Sequence, residues 1–171
     1  HRLVTFDMRG CGRSHIPRPD FAWSLDLLVD DLLAVADAAG LQRFHLVGES
    51  IGGTVALAAA IARPDRIATL TVSNGAHLGT SIRSVEAWQG QLDDGGVKAW
   101  SDAFLPGRFH EGALSPERLA WFALQQERWP RESILNALKV LVGTDLSARL
   151  KRVTCPTLLL HPDGSPFIPV P

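Results

Sequence analysis

Gly48-Glu49-Ser50-Ile51-Gly52 constrains this chain more than any other stretch, because of what stands on either side of it. The apolar run Phe44-His45-Leu46-Val47 precedes it, and the helix-forming run Val55-Ala56-Leu57-Ala58-Ala59-Ala60 follows Gly53 and Thr54. A strand, a sharp turn carrying serine and a helix make the context in which G-x-S-x-G is a nucleophile elbow. At such a turn the serine sits in a strained backbone conformation. Side chains at Gly48 and Gly52 are expected to crowd the strand-to-helix crossing. Ser50 Oγ is then held out above a sheet, where the positive end of the helix dipole favours a nearby oxyanion. Ser50 is the candidate nucleophile, and the backbone N–H of Ile51 is the candidate oxyanion donor.

The rest of the chain places that elbow in an α/β architecture. Strands are expected at Leu3–Phe6, Phe44–Val47, Ile67–Ser73 and Thr157–Leu160, bounded by Asp7, the elbow, Pro64-Asp65 and Pro162-Asp163-Gly164. A helix over Asp26–Ala39 shows Leu28, Leu32, Val35 and Ala39 on one face, with Ser24 as N-cap and Gly40 as stop. Alternating strands and helices imply a mainly parallel sheet covered by helices, with the pre-elbow strand central.

Between Ser73 and Thr154 the pattern changes to helices alone. One is expected at Gly96–Phe104. A second opens at Ser115-Pro116-Glu117, a third runs from Trp129-Pro130 to about Val142, and a short fourth covers Asp145–Leu150. Trp88, Trp100, Trp121 and Trp129 all fall here. Each is read first as helix packing, and at least one as lining an apolar pocket. The resulting division is a core with the elbow at residues 1–75, a helical cap at 76–150, and a core strand with its loop at 151–171.

Length and charge narrow the function classes. A chain of 171 residues is one domain with a sizeable core, and a formal net charge of −1 gives no reason to expect nucleic acid or an anionic membrane as partner. No apolar run reaches the ~18–20 residues of a membrane span. Cys11 and Cys155 lack C-x-x-C spacing and read as free thiols of a cytoplasmic protein. The opening residues His1 to Asp7 resemble neither a signal peptide nor a natural start.

Competing motifs fail on single residues. Gly10-Cys11-Gly12 lacks the third glycine of a dinucleotide fingerprint, since position 15 is His15. His110-Glu111 lacks the second histidine of a zinc-protease helix, since position 114 is Leu114. No phosphate loop is present, and no cofactor or metal is called for. Arg9 and Arg13 read as loop-fixing and surface charges.

Several blocks together resemble the α/β-hydrolase superfamily. Asp7-Met8-Arg9-Gly10-Cys11-Gly12-Arg13-Ser14 resembles its D-x-R-G-x-G-x-S loop, and Asp30-Asp31-Leu32, the elbow with Gly53, Pro64-Asp65-Arg66-Ile67 and Cys155-Pro156-Thr157-Leu158-Leu159-Leu160-His161 follow in order. Trp88-Gln89 and Asp94 to Phe104 are similar to the lid of 3-oxoadipate enol-lactonases and their esterase relatives. The resemblance implies a serine hydrolase of a small carboxylic ester or lactone, acting without cofactor through an acyl-enzyme on Ser50.

The same resemblance implies a fragment lacking both ends. The His-Gly oxyanion donor would precede residue 1, and the catalytic histidine would follow residue 171. On that reading the 171 residues alone should show little or no esterase activity and should aggregate through exposed sheet edges. It lays the triad acid onto position 165, here Ser165; Asp163 lies two residues earlier and is the candidate acid, while the position after the strand following the elbow is Asn74. Two alternatives stay open. One is a non-catalytic binding protein or inactive product of this fold; the other is a cofactor-free peroxidase or C–C hydrolase using the same serine. Oligomeric state is unknown from sequence.

Overall fold

A computed structural model describes residues 1–83, 85–165 and 167–168. Its centre is a β–α–β unit: β1 (Phe44–Glu49), α2 (Ile51–Ala62) and β2 (Ile67–Ser73), with α1 (Leu25–Ala38) packed against α2. β3 (Thr157–Leu160) pairs parallel with the far side of β2, giving the order β1-β2-β3. β1 and β2 are also parallel, with Leu46 opposite Leu70 and Glu49 opposite Ser73. Three parallel strands therefore end at one edge, and the segments after Glu49, Ser73 and Leu160 meet there.

The core explains why these segments are so apolar. α2 is hydrophobic on nearly every face, as expected of a helix buried between sheet and helix. Its Val55, Ala58, Ala59 and Ile61 pack with Leu28, Val29 and Leu32 of α1, while Ala56 and Ala60 face Ile67, Leu70 and Val72 of β2. Burying each large apolar side chain contributes about 1.5–3 kcal/mol. The Ser24 hydroxyl caps α1 by accepting from Leu27 N–H at 3.1 Å, and Gly40 closes it at φ +71°.

Two expectations about the sheet are corrected. Leu3–Phe6 is not a strand: no backbone hydrogen bond ties it to β1, and Leu3 is 85% exposed. An apolar run becomes a strand only beside a partner, and the flank of β1 away from β2 carries none among the described residues; Val47 is 72% exposed. For the same reason β2, not the pre-elbow strand β1, is central. β3 is the other edge and exposes Leu158, Leu159 and Leu160.

Between β2 and β3 lie α3 (Val85–Phe104), α4 (Pro116–Glu127) and α5 (Arg131–Val142), with 3₁₀ turns at Leu105–Gly107 and Ser147–Arg152. α3 starts eleven residues before the expected Gly96, which instead breaks it with φ +71° and ψ −168°. Ser115 caps α4 as expected, its hydroxyl accepting from Arg118 N–H at 3.4 Å. The short fourth helix is the 3₁₀ turn, shifted two residues. Trp100 and Leu92 are buried with Ile134 and Leu135, and the buried Gln126 amide donates to Ser101 Oγ at 3.0 Å, locking α4 onto α3. Val140 of α5 reaches the α1–α2 core, so the helical segment is seated on the sheet unit.

Candidate active site

The turn after β1 is built by close backbone approach. Ser50 has φ +52° and ψ −121°, a conformation that costs a non-glycine residue on the order of 1–3 kcal/mol. Its N–H donates to Ser73 O at 2.9 Å, and its carbonyl accepts from Thr54 N–H at 3.1 Å, so β2 and α2 hold it from both sides. A Cβ at Gly48 would lie 2.5 Å from the Gly52 carbonyl carbon and 2.7 Å from the Gly53 nitrogen. The expectation for Gly52 is corrected: nothing stands within 4 Å of a Cβ there. Gly53 supplies the second close approach, its added Cβ reaching 3.1 Å from Gly75 Cα. Gly48→Ala is expected to destabilise the protein by about 3 kcal/mol or more, read from denaturant unfolding, because backbone and not a flexible side chain must yield. Gly52→Ala should be milder by at least half.

The Ser50 hydroxyl does not cap its own helix, which leaves it free for chemistry. Ile51 is the first residue of α2, and its N–H has no backbone acceptor among the described residues. Ser50 opens into a cavity of about 410 Å³, within the about 300–1,000 Å³ typical of small-molecule sites. Glu49, Asn74, Trp88, Arg108, His110 and Asp163 contribute to its wall, so residues from α3 and the α3–α4 connection stand over the elbow.

The loop after β3 reaches the same cavity. Asn74, at φ +47°, donates its N–H to Leu160 O at 2.8 Å and ties the ends of β2 and β3 together. The Ser165 hydroxyl donates to Asn74 Oδ1 at 3.2 Å and accepts from Ile168 N–H at 3.1 Å. Ser165 thus holds the inner, half-buried position. Asp163 lies on the exposed rim of the same cavity, with no hydrogen-bond partner for its carboxylate among the described residues.

The remaining candidates have structural partners. His161 Nε2 donates to Ile168 O at 2.9 Å, and His45 Nδ1 lies 2.8 Å from Thr69 Oγ1. Arg9 binds Asp31 of α1 through two bonds of 2.5 Å, fixing the loop as expected. In that loop Cys11 is buried, and burial pushes its thiol up to about 11, so it is a packing residue rather than a nucleophile.

Three groups in the cavity carry no motif. Glu49 faces the cavity with much of its surface still open, yet the protein around it raises its carboxyl above the usual range, opposed by the charge of Arg108. Burial lowers the Arg108 guanidinium, opposed by Glu49. His110 has Nδ1 2.9 Å from Glu111 O. The sequence brings Glu49 forward only as the variable residue of the elbow and His110 only as half of a failed metal motif; Arg108 follows an ordinary Pro106-Gly107 turn.

A parallel sheet with a serine elbow at its carboxyl edge and helices over that edge defines an α/β hydrolase. The family model described as alpha/beta hydrolase fold matches residues 1–169, and the chain belongs to that family. It is 31% identical over 176 residues to a protein of Klebsiella pneumoniae provisionally named carbamate hydrolase RutD, and 34% identical over 166 residues to one of that name from Caulobacter segnis. The matches cover 99% and 88% of this chain but only 65% and 59% of those relatives. Among solved structures, the enol-lactonase of Burkholderia xenovorans superposes with a TM-score of 0.78 at 26% identity, over 90% of this chain and 59% of that one.

Proposed function

We propose that this chain carries the acylation site of a cofactor-free serine hydrolase for a small carboxylic ester or lactone. The observation that carries the reading is the strained Ser50, held uncapped at the mouth of the cavity beside the free N–H of Ile51. Ser50 Oγ attacks the substrate carbonyl while a general base takes its proton, and the carbonyl oxygen becomes an oxyanion facing Ile51 N–H. The base returns the proton to the leaving alcohol, and water then releases the acyl group by the same steps in reverse. Asp163 is assigned as the acid that orients the base.

The relatives' names support acyl transfer to water: a carbamate and an enol-lactone each present a carbonyl to such a serine. Residues 1–75 and 151–171 serve as the core and 76–150 as its cap, with Trp88 in the cavity wall favouring a small, partly apolar acyl group. No helix among the described residues is long and apolar enough to cross a membrane. The free thiols Cys11 and Cys155 suit the reducing cytoplasm, where we place the protein. A small-molecule substrate, with no nucleic acid or membrane partner, completes the assignment.

The Ser165–Asn74 pair favours a second reading, a binding protein of this fold, because the inner position after β3 holds no carboxylate. Peroxidase or C–C bond chemistry at Ser50 has no such observation behind it. Labelling separates the first two. In the full-length protein a fluorophosphonate should modify Ser50 alone, seen as one adduct on the Ser50 peptide by mass spectrometry and abolished in Ser50→Ala. An unlabelled, folded protein would favour the binding reading.

A further inference from the structure

α4 has two apolar faces. Leu119, Phe122, Ala123 and Gln126 form the inner one, all buried or half-buried. Gln126 bonds to Ser101 of α3, and the Phe122 ring meets that of Phe109 edge-on at 5.0 Å. Glu117, Trp121, Leu124 and the C-capping Arg128 recur at the spacing that lines up the opposite side of the helix. All four are exposed, Trp121 at 63% and Leu124 at 47%. Trp121 thereby corrects the expectation of packing within the chain, which holds for Trp88, Trp100 and Trp129.

A helix seated by one face ordinarily turns polar residues outward, and large apolar side chains standing together on a surface mark a contact. Among the described residues the other large apolar side chains open to solvent lie before α1 or on the strands. The order of charges along the stripe says what it fits. An acid stands at its amino end, a base at its carboxyl end, and neither forms an ion pair within the chain among the described residues. A second α4 laid antiparallel, about a two-fold axis midway between Trp121 and Leu124, sets Glu117 against Arg128 and Trp121 against Leu124. Each contact then occurs twice, as two-fold symmetry requires. Parallel pairing would set Glu117 on Glu117 and Arg128 on Arg128. Ala120, small and exposed beside the stripe, lets the two backbones come close.

We propose that the outer face of α4 is a self-association surface, on which a second copy of this chain docks antiparallel through Trp121 and Leu124. Burial of those two side chains drives the association, while the Glu117–Arg128 pairs at either end fix direction and register. One helix pair covers less than the standard interface of about 1,600 Å², so the dimer is reversible, with a Kd on the order of 10 µM. None of the four residues lines the Ser50 cavity, which α4 approaches from its other side through Phe109.

The test is sedimentation velocity on the full-length protein over a concentration series bracketing about 10 µM. The unaltered protein is expected to pass from monomer to dimer along the series. Trp121→Glu and Leu124→Glu should each stay monomeric with an unchanged thermal melt, since both side chains are exposed. Glu117→Arg alone and Arg128→Glu alone should each weaken the dimer by about tenfold or more, because like charges then meet at both ends. Mixing those two variants puts opposite charges at both ends again and should restore the original affinity, an outcome that no loss of folding can produce. A full-length protein that stays monomeric throughout would overturn the proposal, whatever covers Trp121. So would a dimer that survives Leu124→Glu, or a mixture that associates no more tightly than its parts.

Discussion

Ser50→Ala is expected to lower kcat on p-nitrophenyl butyrate by about 10⁵–10⁶-fold in the full-length protein, since nucleophile, base and acid act as a unit. KM should change little, because the methyl of alanine occupies the place of the serine Cβ and the rest of the cavity wall is untouched. Stability should also change little. The hydroxyl caps nothing, and alanine meets the same backbone strain at φ +52° that serine does. Steady-state kinetics beside a thermal melt give all three readings. Residual kcat within tenfold of the original would place the nucleophile elsewhere and end the acyl-enzyme mechanism.

The second large effect belongs to Asp163. Asp163→Asn should cost on the order of 10⁴ in kcat, the amide holding the base in the wrong tautomer. β3 runs parallel to β2 and delivers Asp163 to the edge where Ser50 emerges, and both line one cavity. Asp163 is exposed and has no hydrogen-bond partner among the described residues, whereas Ser165 is committed to Asn74 and to the Ile168 N–H. Ser165→Ala should lower kcat by tenfold or less through loosening of the loop. Activity unchanged in Asp163→Asn would remove the acid from this strand and turn attention to Glu49, the other carboxylate of the wall.

How far the sequence reveals this protein depends on how local the determining forces are. The elbow is legible because its geometry is set within six residues: Gly48 must let the backbone of Gly52 and Gly53 approach. The capped helix starts at Ser24 and Ser115 are legible for the same reason, each a side chain bonding three residues on. Pairing is not local, so Leu3–Phe6 looks like a strand and is none without a neighbour. The first half of α3 is hidden by Gly90, Asp93, Asp94 and Gly95, poor helix formers overruled by the burial of Leu92 and the packing of Trp88. Gly52 shows the reverse error, a motif glycine with open space around it. Of the candidate residues, Ser50 and Asp163 follow from motif and order, and both line the cavity. Arg108 does not, since its surroundings combine two rings of α3 with Phe167 from the loop after β3.

The backbone angles of Ser50 also decide which amino acids can ever hold that post. At φ +52° and ψ −121° a second heavy atom on Cβ presses against the neighbouring peptide groups. Threonine has the same hydroxyl and fails on shape; cysteine has the right shape and a different atom. Glycine would sit there most comfortably of all, and it has nothing to attack with. The fold thus screens the residue at this post by conformation before chemistry is consulted, and the tension it keeps there is renewed in every molecule that folds.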